Sequence, residues 1–124
     1  MSKTIDNIAL TIVPENMPGA RISADAFIAA YNKGEVELVD IRVPVETAVW
    51  QLNFGIKIPA NELPERLSEL SKDKTIVVAC PLADRSNMAR SYLLMKGFNV
   101  MYLQGGLLGL VDRLKGSMAG DINI

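Results

Sequence analysis

Thr75-Ile76-Val77-Val78-Ala79-Cys80-Pro81-Leu82-Ala83-Asp84-Arg85-Ser86 is the stretch that decides the fold. Its first five residues are β-branched or small, and they do not alternate between apolar and polar. That pattern predicts a strand covered on both faces, as in the middle of a parallel sheet. Cys80 is the first residue past the strand's carboxyl end, and Pro81 cannot extend the ladder. A helix is then predicted from Asn87 to Lys96, with Met88, Tyr92 and Met95 at helical spacing. Gly97 follows where a left-handed cap would end it, with Phe98 placed to fold back onto the last turn.

The same rhythm continues on both sides. Upstream, Ser23 is an N-cap for a helix over Ala24–Asn32, with Gly34 just past its end. Glu37–Ile41 is a short apolar strand ending in the polar pair Asp40 and Arg42, and Pro44 starts a turn or short helix reaching about Trp50. A strand follows over Gly55–Pro59, then a helix over Asn61–Ser71 with Leu63, Leu67 and Leu70 on one face. Downstream, Val100–Leu103 is a strand, Gly105-Gly106 a sharp turn and Leu107–Leu114 a last helix. Strands alternating with helices predict an α/β domain with a mainly parallel central sheet and helices on both faces. Residues 1–20 form an N-terminal extension, in which Ile8–Val13 is either an added strand or loosely held chain. Residues 21–124 form the domain.

Composition narrows the function. A chain of 124 residues is one domain with room for a core, and 49% hydrophobic with 22% charged residues is an ordinary globular balance. A net charge of -1 without a basic run argues against binding nucleic acid through its phosphates. No segment is apolar for long enough to span a bilayer, and no signal-peptide core precedes the domain, so the cytoplasm is the expected compartment. One cysteine excludes an intramolecular disulfide and a multi-cysteine zinc site. No cofactor or metal is expected: the methionines fit a helix face better than a ligand set.

The chain has no histidine, so no imidazole can take a proton from a nucleophile. A reactive Cys80 must be activated by its surroundings, since the thiolate is the attacking species. The loop offers three sources of stabilisation for an anionic sulfur. Its backbone amides can converge on it, the N-terminus of the following helix points toward it, and Arg85 is a permanent cation. Ser86 either caps the helix or hydrogen-bonds the sulfur. The plainer alternative is a lone buried cysteine acting as a small hydrophobe.

The spacing Cys80-x-x-x-x-Arg85-Ser86 between strand and helix resembles the active loop of the rhodanese family. The resemblance runs from about Ile22 to Leu114. Asp40-Ile41-Arg42-x-x-x-Glu46 is similar to an upstream signature of that family, and Ile56-Lys57-Ile58-Pro59 with Glu62-Leu63 to a second. Gly97-Phe98 before Val100, and Leu103-x-Gly105-Gly106, resemble two more. The resemblance implies sulfur transfer. A donor such as thiosulfate, a polysulfide or a protein persulfide passes its outer sulfur to Cys80, and the persulfide passes it on to a thiol or cyanide. Cys80 is then the nucleophile, Pro81, Leu82, Ala83, Asp84, Arg85 and Ser86 the cradle, and Arg85 the anion contact. Asp40 and Arg42 are a supporting brace.

Related cysteine phosphatases have one residue more between cysteine and arginine, and the smaller ring here suits sulfur better than phosphate. The loop departs from the family in carrying Ala83 where glycine is common and Asp84 beside Arg85, and Gln51 stands where histidine is common. Asp84 partly cancels the loop cation unless it points outward, which favours a polysulfide or protein persulfide over thiosulfate. The alternative function is a non-catalytic rhodanese-like binding or regulatory module, with a thiol-dependent redox enzyme a distant third. Leu107, Leu108 and Leu110 are core residues or a homodimer contact.

Overall fold

A computed structural model describes residues 2–124. Five parallel-paired strands form one sheet in the order β1-β5-β4-β2-β3: β1 (Arg21–Ile22), β2 (Val36–Asp40), β3 (Ile56–Lys57), β4 (Thr75–Ala79) and β5 (Val100–Leu103). β4 lies in the middle, between β5 and β2. The expected sheet, with helices on both faces, is what forms.

The unbroken apolar run of β4 has a direct physical reading. Successive side chains of a strand point to opposite faces. Ile76, Val78 and Cys80 enter one core with Val39, Ile58, Leu63, Leu93 and Phe98. Val77 and Ala79 enter the other, with Phe27, Leu38, Leu103, Leu107 and Leu110. Neither face meets water, so neither needs polar residues. The helix α4 (Asp84–Met95) contributes Ala89 and Leu93 to the first core, while α2 (Ala24–Asn32) and α5 (Gly106–Leu114) cover the second. Leu107 and Leu110 are core residues, and Leu108 is exposed.

Three segments differ from the sequence reading. Ile8–Val13 is not a strand: a helix, α1, spans Ser2–Leu10, and a 3-10 segment follows over Pro14–Ala20. Leu10 and Ile12 are mostly exposed, so nothing buries both faces of this stretch as the sheet buries β4. The helix expected over Asn61–Ser71 is instead two 3-10 segments, Ala60–Glu65 and Leu67–Glu69. Pro64 has no N–H for a helical ladder, and Leu63 and Leu70 reach the core without one. Finally, α4 starts at Asp84 rather than Asn87, inside the expected loop. The short α3 (Pro44–Val49) completes the elements around the site.

Candidate active site

The site is built where β2 and β4 end side by side. Asp40 pairs in register with Ala79, and Ile41 N–H donates to the Ala79 carbonyl at 3.0 Å. Crevices at the carboxyl ends of parallel strands are where ligands of such sheets bind.

Cys80 is completely buried and is a free thiol. Its sulfur occupies a particular place relative to α4. The helix's N-cap residue is Ala83, which has no side chain able to accept a hydrogen bond. The orphan N–H of Ser86, the third residue of the helix, donates instead to Cys80 Sγ at 3.4 Å. The sulfur thus fills the acceptor role that a Ser or Asp N-cap normally plays. It also stands at the positive end of a twelve-residue helix, which favours an anion there. Ser86 is fully buried. Its Oγ lies 3.5 Å from Sγ, accepting from the thiol, and itself donates to the Ala83 carbonyl at 3.0 Å. Of the two roles foreseen for Ser86, the structure shows contact with the sulfur through both backbone and side chain.

The other loop residues divide clearly. Asp84 is exposed, yet its Oδ1 lies 4.0 Å from Sγ, so its carboxylate faces the sulfur. Leu82 is 63% exposed and Pro81 and Ala83 are half-buried, leaving an apolar rim. The carbonyls of Cys80 and Pro81 are turned away, accepting from the first amides of α5: Leu107 N–H at 2.8 Å and Leu108 N–H at 3.2 Å.

Arg85 is not an open cation. Its Nη1 and Nη2 donate to Glu46 Oε1 and Oε2 at 2.8 and 2.7 Å, a bidentate clamp between α4 and α3. Glu46 Oε1 also accepts from Val43 N–H at 3.1 Å. The sequence carried Glu46 only as the end of a signature. Its partner is distant in the chain, and no local pattern names it.

Asp40 and Arg42, both almost fully buried, form a brace beneath this clamp. Arg42 Nε and Nη2 donate to the Asp40 carboxylate at 3.0 and 2.8 Å, and the Arg42 backbone N–H donates to it at 3.1 Å. The guanidinium also stacks 4.0 Å from the Trp50 ring. This pair lies where the end of β2 leads into α3, the helix that carries Glu46.

The clamp holds the Glu46 carboxyl down at about 2, from an ordinary 4.5. The Arg85 hydrogen bonds are the main cause. The Val43 N–H and the charges of Arg85 and Arg42 add to them, against an opposing cost of burial. A carboxyl more acidic in the folded state adds stability above its unfolded value and loses it as pH falls through its folded one. The clamp is therefore expected to hold down to about pH 4.5 and to release between there and about pH 2. Emission from Trp50, the only tryptophan, reads the α3 end of the clamp. It should change across that window in the wild type, and Glu46→Gln should lack that component. An identical acid transition in both proteins would sink the assignment.

Residues 23–112 match the Rhodanese-like domain family. The chain belongs to that family. A protein named sulfurtransferase from Allochromatium vinosum is 37% identical over 75 residues, 60% of this chain and 70% of that protein. A rhodanese-related protein from Thermoplasma volcanium superposes with a TM-score of 0.67 at 28% identity, covering 75% of this chain and 91% of its own. A rhodanese-like domain protein from Staphylococcus aureus gives the same TM-score at 24% identity, over 73% and 89% of the two chains, and shows the fold alone. The rhodanese-like assignment places this chain in a family of sulfur-handling enzymes with sulfurtransferases among its relatives. Among the described residues, no cluster of His, Cys, Asp or Glu could hold a metal, and no helix is long and apolar enough to cross a membrane.

Proposed function

We propose that this chain is a sulfurtransferase carrying a sulfane sulfur on Cys80, with a polysulfide or a protein persulfide as donor and a thiol as acceptor. One observation supports the chemistry most: Sγ takes the N-cap acceptor place of α4, where backbone N–H and helix dipole favour a sulfur anion. The Cys80 thiolate attacks the outer sulfur of the donor. A Cys80–S bond forms as the donor S–S bond breaks, and the donor leaves as a thiolate or a shortened polysulfide. The acceptor thiolate, or cyanide, then attacks the outer sulfur and releases the Cys80 thiolate. No net electron enters or leaves. Residues 21–124 are the domain that does this, residues 1–20 its extension, and the cytoplasm its place of work.

The donor choice follows from charge. Arg85 is neutralised by Glu46, and Asp84 faces the sulfur. No net positive charge remains to draw in a strongly hydrated dianion such as thiosulfate, whereas a polysulfide, though also anionic, brings an uncharged sulfur chain that an apolar rim can receive. The surroundings are apolar instead: Leu82 and Met88 are exposed, and a pocket of about 270 Å³ opens beside Arg85 between Leu63, Pro64 and Tyr92. Such a rim suits a donor presented by another protein.

Intact mass after incubation with polysulfide tests the reading. The expected result is the gain of one sulfur, removed by cyanide. No adduct with either polysulfide or thiosulfate overturns it, and a clear preference for thiosulfate overturns the donor assignment. Asp84→Asn is expected to raise kcat/KM for thiosulfate by about fivefold or more, and for the equally anionic polysulfide by a similar factor, since one unit charge near 4 Å is worth about 1 kcal/mol even in water. Steady-state rates with the two donors measure this.

A second reading, a non-catalytic rhodanese-like module, is favoured by the complete burial of Cys80. In that case the sulfur is only a helix cap, and the mass experiment returns no adduct.

A further inference from the structure

The N-terminal segment makes a cleft that the sulfur chemistry does not use. α1 packs on α4, and the Pro14–Ala20 turns pack on β5. Between them lies a cavity of about 450 Å³, inside the range of roughly 300–1,000 Å³ typical of small-molecule sites. Its wall from the N-terminal segment lies outside the family match at residues 23–112.

The lining is of two kinds. Ile8, Ile12 and Leu94 supply apolar wall, and Arg90, Asn87 and Tyr102 supply polar groups. Arg90 is the unusual member. It is half-buried, its Nε–H donates to the Val100 carbonyl at 3.3 Å, and no carboxylate among the described residues pairs with it. Burial pushes its pKa below the ordinary arginine value, with only the Tyr102 hydroxyl opposing. Every other arginine described above for the site has an acid partner: Arg42 has Asp40 and Arg85 has Glu46. A partly desolvated guanidinium with a free fork is costly alone, and a carboxylate or phosphate matches its planar donors. The apolar walls beside it would shelter a hydrocarbon tail.

We propose that the cleft between the N-terminal segment and α4 binds a small amphiphilic organic anion, its carboxylate or phosphate on Arg90 and its tail along Ile8, Ile12 and Leu94. The proposal stands apart from the Cys80 reading: Asn87 on the cavity wall bonds the Ala83 carbonyl only through its backbone N–H, and Arg90 bonds the Val100 carbonyl, not the sulfur loop.

Calorimetric titration of the full chain with octanoate, octyl phosphate and octanol tests it. One-site binding of octanoate or octyl phosphate is expected, and which of the two binds names the headgroup. Octanol should bind at least about tenfold more weakly, as loss of a charge-assisted hydrogen bond implies. Arg90→Gln should weaken the anion about tenfold or more, and Arg90→Lys should retain most of the binding. Asn87→Asp, at an exposed position on the cavity wall, supplies Arg90 with a carboxylate of the chain's own and should block the anion with the fold kept. Cys80→Ala should bind as the wild type does. No saturable binding of either anion, equal binding of octanol, or unchanged affinity in both Arg90→Gln and Asn87→Asp overturns the proposal.

Discussion

Cys80→Ala is expected to abolish sulfur loading and to lower turnover with polysulfide by at least ~10³-fold. The size of the effect comes from the composition. Cys80 is the only cysteine and there is no histidine, so no other thiol can take the sulfur and no imidazole can recruit water in its place. Cys80→Ser separates two roles of the sulfur. A serine Oγ can still accept from Ser86 N–H and close the end of α4, but an alcohol is a far weaker nucleophile than a thiolate, and the nearby Asp84 carboxylate is too weak a base to ionise it. Both variants should therefore be inactive, while Cys80→Ala should lose about 1 kcal/mol more stability from the missing cap acceptor. Urea unfolding of the two proteins checks the second part. An active Cys80→Ser would mean that sulfur transfer does not pass through this residue, and equal stabilities would mean that Sγ is not a cap.

What the sequence showed of this molecule was what depends on neighbours in the chain. Ser23 reads as an N-cap because its acceptor and the amide it receives are three residues apart, and its Oγ does accept from Ala26 N–H at 3.1 Å. Gly97 reads as a helix terminator because the turn there needs positive φ, and it has φ +88°. Thr75–Ala79 reads as a central strand because burial on both faces removes the need for polar residues. The misreadings have local causes too. Ile8–Val13 is as apolar as a short strand, but whether a strand edge is open to receive it is a property of the folded sheet. Leu63, Leu67 and Leu70 keep helical spacing even though Pro64 breaks the ladder, because 3-10 turns also return a leucine to the same side.

The site was half legible for a similar reason. Cys80, Arg85 and Ser86 are close in sequence, and their spacing carries the resemblance to the family's loop. That α4 begins at Asp84 could not be read from spacing, because the group that caps it is a cysteine four residues upstream rather than the residue at the cap. The clamp was hidden as well. A guanidinium at a loop reads as an anion contact until its acid partner is known, and Glu46 comes from another helix. This pairing changes the chemistry: a loop that looks weakly cationic in sequence has no unpaired cation in the fold.

Gly106→Ala is expected to destabilise the domain by about 3 kcal/mol or more and to remove sulfur loading with it. Gly106 has φ +66°, a conformation an alanine adopts only at a cost. The greater obstacle is space. A Cβ at this position would run into the backbone carbonyls of Pro81 and Leu82 and stand 2.7 Å from the Cys80 carbonyl oxygen. These atoms belong to the peptide chain of the sulfur loop, so no side-chain rotation can relieve the contact. α5 would have to withdraw, and the hydrogen bonds from Leu107 and Leu108 to the Cys80 and Pro81 carbonyls would stretch or break. Leu107 and Leu110 would leave the second core with it. Gly109→Ala is the control: it lies on the same helix with nothing within 4 Å of its added methyl, and should be neutral or slightly stabilising. Thermal unfolding and intact mass of the two variants decide the matter. If Gly106→Ala unfolds like the wild type and still gains a sulfur, then the close approach of α5 does not hold the loop, and the cradle must rest on α4 and the Glu46 clamp alone.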